Sequence, residues 1–410
     1  MRNLIIDGNR LWQSLMTMAK IGATEKGGVR RLTLTDLERR SRDLFAAWAS
    51  ACNCKMQVDA MGNMFAHRSG SNEVLPPIIT GSHLDSQPTG GKYDGAYGVL
   101  AGLEVLRTLN ENNIETEASV EVVMWTNEEG CRFAPACMGS ATFAGAFALD
   151  YSHERTDQDG KTVLEELERI GYLGEGCGNR PIGAYFEAHI EQGPILEAEK
   201  KTIGVVTGAQ AQRWYEITLT GMEAHAGPTP MKRRKDALIG AAKLVQQVNQ
   251  IGLAFQPGGC ATVGVLDVFP ASRNVIPGRA FLTVDFRHPC DAKLVKMDEI
   301  LRNTAKSIAK DAELNLDFEQ IWACDSTNFE ESCIDAVRKG AKAAGFSHRD
   351  IISGAGHDAM YVARIAPAAM IFVPCEGGIS HNEIENATQD DLAAGCQVLL
   401  NAILEKAGTH

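Results

Sequence analysis

Five side chains able to hold a metal ion stand just past apolar runs in this sequence. His83 follows Ile78-Ile79-Thr80-Gly81-Ser82, and Asp94 lies eleven residues later inside Gly90-Gly91-Lys92-Tyr93-Asp94-Gly95. The pair Glu128-Glu129 follows Val120-Glu121-Val122-Val123-Met124-Trp125. His189 follows Tyr185-Phe186-Glu187-Ala188, and His381 comes after the run Ala368 to Val373, inside Gly377-Gly378-Ile379-Ser380-His381. Imidazoles with carboxylates form a nitrogen and oxygen donor set suited to zinc, manganese, cobalt or nickel. Five such ligands suffice for two ions if one carboxylate bridges. Asp94 is the natural bridge, because the glycines around it allow close backbone approach.

The adjacent carboxylates need two roles. In an extended segment neighbouring side chains point apart, so one binds metal while the other faces a reacting water. A glutamate outside the ligand set, beside a metal-activated water, is the usual general base. Asp85, two residues after His83, is placed to accept the imidazole's other N–H and fix its tautomer. Taken singly, each histidine is a core or loop residue and an acidic pair is solvated surface. The argument rests on five placements of the same kind.

Those placements require a particular scaffold. The runs Ile78–Ser82, Val120–Trp125, Tyr185–Ala188 and Ala368–Val373 read as buried strands. Residues 95–109 read as a helix, with Val99, Leu103 and Leu106 at helical spacing, and Gln389 to Lys406 reads as a closing helix. Strands alternating with helices imply a mostly parallel sheet with helices on both faces. Ligands bind beyond the C-terminal ends of such strands, where the five residues fall.

From about 210 to 323 the texture changes. Arg213 to Thr220 alternates as a strand does, Asp236 to Ile251 is helical, and Ala261 to Val268 and Ala280 to Phe286 are strands joined through a Pro/Asn/Gly-rich region. Asp291 to Asp311 is a helix and Leu316 to Trp322 a strand. That order, β-α-β-β-α-β, is complete in itself. The expected class is α/β. A catalytic domain in two segments, 1–209 and 324–410, carries an inserted α+β domain at 210–323.

Composition bounds the partners. The 410 residues include 52 acidic and 40 basic ones, a net charge of −12, with 44% apolar and 22% charged residues. This is an ordinary globular composition, and it excludes disordered, collagen-like and coiled-coil chains. The acidic balance argues against nucleic acid or an anionic membrane as the main partner. The N-terminus Met1-Arg2-Asn3-Leu4-Ile5-Ile6-Asp7 lacks the apolar core of a signal peptide, and the charge-free stretch from Phe133 to Leu149 falls short of a membrane span. Eleven scattered cysteines, an odd number, suggest reduced thiols in a cytoplasm rather than a disulfide framework. Cys52 and Cys54 form C-x-C without a second pair. Cys131 and Cys137 read as packing, since no nearby base is evident to make a thiolate.

As a set, the motifs resemble a known family. Gly81-Ser82-His83-Leu84-Asp85-Ser86-Gln87-Pro88-Thr89-Gly90-Gly91-Lys92-Tyr93-Asp94-Gly95 resembles the first metal motif of the bacterial N-carbamoyl-L-amino acid hydrolases and β-ureidopropionases. These belong to the dinuclear aminoacylase–carboxypeptidase superfamily. Thr126-Asn127-Glu128-Glu129-Gly130-Cys131-Arg132-Phe133, Glu187-Ala188-His189-Ile190-Glu191-Gln192-Gly193-Pro194 and Ser380-His381 are similar to the later motifs. The resemblance implies metal roles for His83, Asp94 (bridging), Glu129, His189 and His381, and a general acid/base role for Glu128. It implies two divalent ions per subunit, zinc in first place, with manganese, cobalt or nickel as alternatives.

The resemblance also brings in residues that spacing alone does not single out. Gly221-Met222-Glu223-Ala224-His225-Ala226-Gly227-Pro228 is similar to the inserted-domain motif. Its histidine, here His225, would reach the partner subunit's site in a homodimer and stabilise the oxyanion, so the resemblance implies a lid or dimerisation role for the inserted domain. Asn274 and Arg287 look like the family's substrate-carboxylate clamp, and Gln192 matches a substrate-side glutamine. Gly354-Ala355-Gly356-His357-Asp358-Ala359 resembles a further motif, with Gly356 lining the pocket and His357 and Asp358 buttressing it. Taken alone, Arg287 would pair with Asp285 or Asp291, and His225 would be a turn residue.

The implied activity is hydrolysis of N-carbamoyl amino acids, α or β, to the free amino acid, ammonia and carbon dioxide. An allantoate or ureidoglycine-type amidohydrolase shares the ligands, and so does a zinc exopeptidase or aminoacylase. A binding or scaffold protein that kept the fold is a reading of another class, against which the complete ligand set with Glu128 argues.

Overall fold

The computed structural model describes residues 4–176, 178 and 180–409. The first three residues of the N-terminal reading, and Cys177, lie outside them. The chain divides into two compact units: Met1–Gly208 with Asn328–His410, and Ala209–Thr327. Among the described residues no helix is long and apolar enough to cross a membrane.

The first unit is built on a nine-stranded sheet. Its centre is four parallel strands in the order Val120–Trp125, Ile78–His83, Ala184–Ile190 and Ala368–Val373. All four are buried throughout, as expected of strands covered on both faces. The edges, not foreseen from the sequence, are antiparallel. Met64–Arg68 pairs with Val120–Trp125, and Lys55–Val58 pairs with Met64–Arg68. On the other side Ile203–Ala209 runs antiparallel to Ala368–Val373.

The helix Ala96–Glu111 follows the Ile78–His83 strand and is buried along most of its length. It packs against Gln389–Ala407 and against Gly8–Met18. Thr388 caps the last helix by accepting the Asp391 N–H, with Asp390 and Asp391 in its first turn. Both features favour a helix start at that point.

Behind the sheet, the helix Asp36–Ala51 carries a buried ion pair. Arg42 Nε donates to Glu38 at 2.6 and 2.8 Å. Its other nitrogens reach the Gly62 carbonyl at 2.6 Å and the Thr126 hydroxyl at 3.0 Å. Thr126 begins the segment that ends in Glu128-Glu129, so this guanidinium supports the site from below.

The second unit is a five-stranded antiparallel sheet running Leu266–Phe269, Arg279–His288, Ala211–Thr220, Asn315–Cys324, with Cys260–Thr262 also on Arg279–His288. The run expected as one strand, Ala261 to Val268, is broken in two. Its residues 263–265 leave the ladder, and both pieces pair with the same partner. The helices Ala237–Ala254 and Asp291–Asp311 pack on each other and on this sheet. Leu294, Met297, Leu301 and Ala305 form the buried stripe of the second helix, and each large apolar side chain so buried contributes about 1.5–3 kcal/mol. The segment joining the central strands forms a ribbon of its own, Val275–Ile276 against Ala224–His225.

The buried pair yields a stability test. Arg42→Met leaves the buried Glu38 carboxylate without its cation, with the Leu34 N–H as its remaining donor, and should cost about 3–5 kcal/mol in urea unfolding, whereas the double change with Glu38→Leu should cost far less. Equal losses in the two proteins would show that the guanidinium's bonds to Gly62 and Thr126 dominate instead.

Candidate active site

His83 is the last residue of its strand and His189 the penultimate residue of its own. Both therefore lie inside strands rather than after them, as read from the sequence. The strands are parallel neighbours, and the two rings come within 6.2 Å, centroid to centroid. His83 Nδ1 lies 3.0 Å from the Asp85 carbonyl and His189 Nδ1 2.9 Å from the Ile190 carbonyl. A carbonyl only accepts, so each Nδ1 carries the hydrogen and each Nε2 presents a lone pair.

Those lone pairs face Asp94. Its Oδ1 lies 3.2 Å from His189 Nε2 and 3.7 Å from His83 Nε2. Its Oδ2 lies 3.4 Å from His381 Nε2, which is 3.5 Å from Glu129 Oε2. Asp94 thus belongs to two candidate ligand groups, one with His83 and His189, the other with Glu129 and His381. Two donors at about 2.1 Å from one tetrahedral ion stand about 3.4 Å apart. The spacings and the donor chemistry both fit a pair of divalent ions. Gly95 permits the approach: its φ is 64°, and a Cβ there would lie 2.3 Å from His83 Nε2.

Glu128 stands beside these groups and in neither. Its Oε2 is 3.4 Å from His83 Nε2, and its Oε1 accepts the Cys137 thiol at 3.3 Å. Cys137 is therefore more than packing, since a carboxylate is its neighbour. Burial, with Glu128 next, pushes the thiol well above its usual range, which keeps it a donor. The glutamate pair is separated by a bend, not by strand alternation. Asn127 takes a left-handed φ of 58°, and its Nδ2 donates to the carbonyls of Phe133 and Pro135 at 2.8 and 3.2 Å.

The expectation for Asp85 needs correction. The acceptor nearest the His83 N–H is the Asp85 backbone carbonyl, and the carboxylate is 3.6 Å away. That carboxylate instead accepts the N–H groups of Glu128 and Glu129 at 3.3 and 3.2 Å. Two backbone donors at a bend claim it, so Asp85 holds the glutamate segment.

Like charges crowd at the centre. Burial, then Asp94, pushes Glu129 up to about 7. Burial, with Asp358, Glu129 and Asp94 adding repulsion, raises Glu128 well above the carboxylate range. For Asp94 burial acts upward, but His189, His381 and His83 in their charged, doubly protonated form would donate to it and hold it well below that range. The bond to Asp94 lifts His381 to about 9. A cation set among these groups relieves the crowding of like charges.

The remaining sequence candidates fall in two places. In the first unit, Gln192 Nε2 donates to Asp94 Oδ2 at 3.0 Å and to Ser380 Oγ at 3.1 Å. His357 meets the His189 ring edge-on at 4.6 Å, and its Nε2 lies 3.0 Å from Ser353 Oγ. Asp358 is fully buried, and Gly356 is exposed in the loop between His348–Ser353 and Asp358–Val362. His225, Asn274 and Arg287 belong to the second unit. There His225 is exposed, and its Nδ1 accepts the Gly227 N–H at 3.0 Å. The Asn274 carbonyl accepts the Ala226 N–H at 2.9 Å. Arg287 pairs with Asp285 at 2.8 Å, whereas Asp291 accepts from Ser326. Cys52 and Cys54 join no candidate metal group among the described residues.

The supporting contacts of several site residues were not foreseen. Gln87 holds Glu129 through its backbone N–H at 2.9 Å and its Nε2 at 2.6 Å. Glu187, wholly buried, accepts from Ser82 Oγ at 2.7 Å and from the Ala359 N–H at 3.0 Å. A charged residue inside a buried strand run, two before His189, was a visible signal. Glu385, buried in the loop after His381, had none.

Residues 79–405 match the peptidase family M20/M25/M40. An N-carbamoyl-L-amino-acid amidohydrolase of Rhizobium meliloti is 47% identical over 99% of this chain and 98% of its own. An allantoate amidohydrolase of Bacillus subtilis is 32% identical over 97% and 98%. The crystal structure of an amidase of the hydantoinase/carbamoylase family from Burkholderia multivorans superposes with a TM-score of 0.94, at 60% identity over 98% of both chains. The chain belongs to the peptidase family M20/M25/M40, in its hydantoinase/carbamoylase group, and is a hydrolase acting on amide bonds.

Proposed function

We propose that the protein hydrolyses N-carbamoyl-L-amino acids with two divalent cations, zinc in first place, held by His83, Asp94, Glu129, His189 and His381. The observation that carries this reading is the sharing of Asp94 between two ligand groups, with Glu128 beside both. Such cations polarise a carbonyl and acidify a water. Glu128, its free carboxylate oxygen turned to His83, takes the proton of the attacking water. One of the two ureido carbon–nitrogen bonds then breaks as Glu128 returns the proton to that nitrogen, and the carbamate left behind takes up a proton at its own nitrogen and loses carbon dioxide. Ammonia, carbon dioxide and the amino acid result.

Asp85 and Gln87 hold the two glutamates in place through this cycle. His225 donates to the oxyanion; its Nδ1 is an acceptor, so Nε2 carries the hydrogen. Asp285 sets the plane of the Arg287 guanidinium, whose fork suits the substrate carboxylate, with Asn274 beside it. Gln192 and Gly356 line the substrate side. Two copies pair through the second unit, so that His225 serves the partner's centre. Ten free cysteines among the described residues support work in a reducing cytoplasm.

A second reading is allantoate or ureidoglycine-type hydrolysis, favoured by the match to an allantoate amidohydrolase over nearly the whole chain. N-carbamoyl-β-alanine differs from the α-substrates by one methylene, worth about 1–3 kcal/mol of discrimination. Substrate comparison therefore decides. Ammonia release is expected from N-carbamoyl-L-methionine ahead of N-carbamoyl-β-alanine, lost with a chelator and restored by divalent ions. Turnover of allantoate alone, or release of an amino acid from a dipeptide without ammonia, rejects the reading.

Glu128→Gln should lower kcat about 10²–10⁴-fold with little change in KM, and elemental analysis should still find both ions. Retained activity removes the mechanism. Mixing inactive His225→Ala with inactive Glu128→Gln protein, under subunit exchange, should restore activity if His225 acts across a dimer. No recovery in a mixed dimer places it in its own subunit's chemistry.

A further inference from the structure

The three histidines at the centre are not held alike. His83 and His189 end rigid strands, are 2% and 1% exposed, and have each Nδ1 anchored on a carbonyl. The His381 side chain is 53% exposed, and its ion-pair partners among the described residues are Asp94 and Glu129. Its backbone is left-handed, with a φ of 54°. A non-glycine residue keeps such a conformation only where its surroundings impose it.

Glu385 ties Ser380, the residue before His381, to the rest of the centre. It is 1% exposed and lies four residues beyond His381. Its Oε1 accepts the N–H groups of Tyr93 and Asp94 at 3.0 and 3.1 Å, and its Oε2 accepts the Ser380 hydroxyl at 2.8 Å. One carboxylate thus ties the loop carrying Asp94 to the loop carrying His381. Gly91 makes room for it, since a Cβ there would lie 2.0 Å from the Glu385 carboxyl carbon. The Asp94 side chain has a second support in Gln192. Ser380, which accepts Gln192 Nε2 at 3.1 Å and lies 3.3 Å from Asp94 Oδ2, joins the same set of contacts.

We propose that Glu385 is a positioning residue that holds the Asp94–Glu129–His381 group together and sets its affinity for the second metal ion. The proposal rests on the two-cation reading above. The Asp94–His83–His189 group, anchored on strands, depends on it much less.

Zinc uptake by the metal-free protein, followed by competition with a chromophoric chelator, tests this without reference to turnover. The wild type should take up two equivalents. Glu385→Ala should keep one at wild-type affinity and bind the other about 10–100-fold more weakly, the usual scale for loss of a ligand's supporting contact. Glu385→Gln, which keeps an acceptor oxygen for the two N–H groups, should recover part of the loss. Ser380→Ala deletes one bond and no charge, and should weaken the same equivalent by less; it carries the test if Glu385→Ala does not fold. Gly91→Ala, which pushes the carboxylate away, should reproduce the pattern. Two unchanged equivalents in the variants, or equal weakening of both, overturn the proposal alone. Fewer than two equivalents in the wild type overturn the two-cation reading and the proposal with it.

Discussion

The Asp94 carboxylate is 6% exposed and faces three imidazoles, two through one oxygen and one through the other. Its charge is met in part by the Gln192 amide, which donates to it at 3.0 Å, and the rest of its demand for positive charge organises the centre. Two of the imidazoles come from parallel strands whose positions the sheet ladder fixes. Asp94, Glu129 and His381 come from loops, which have no ladder.

Buried carboxylates hold loops throughout this unit, most of them by accepting backbone N–H groups. Asp85 holds Glu128 and Glu129, Glu187 holds Ala359, Glu191 holds Ile195 and Leu196, and Glu385 holds Tyr93 and Asp94. A buried loop leaves N–H donors that must be satisfied, and a charged acceptor satisfies them more strongly than a neutral one. The same residues add negative charge around the site. Loop order and demand for a cation are therefore met by one set of side chains.

Much of this was legible in the sequence where local pattern decides structure. The four central strands were visible as apolar runs, and the helices Asp291–Asp311 and Gln389–Ala407 as periodic stretches. The order of strands and helices in the second unit was legible too. The antiparallel edge strands were not, because Lys55–Val58 and Met64–Arg68 are short and their pairing depends on a neighbour distant in sequence. At the site, the residues gathered around Asp94 were legible by type and by their nearness to the C-terminal ends of strands, though His83 and His189 lie inside theirs. Their supports were not. Whether the carbonyl or the carboxylate of Asp85 meets His83 is a matter of backbone direction at a bend, and Glu385 and Gln87 act through loops that carry no periodicity. Of the two partners that the sequence offered Arg287 taken alone, Asp285 and Asp291, the pairing is with Asp285.

The first unit is discontinuous, and this orders events during synthesis. His83, Asp94, Glu128, Glu129 and His189 precede the second unit in the chain, whereas the strand Ala368–Val373 and His381 follow it. As the chain emerges, the second unit has its whole core available before the first unit has its fourth central strand. Until then Ala184–Ile190 presents an unpaired edge, a hazard for association with other chains. The group His83–Asp94–His189 has its residues in hand at that stage, and the group completed by His381 does not. The two halves of the centre therefore differ in age within each molecule, and a metal ion present during synthesis meets the strand-anchored half first.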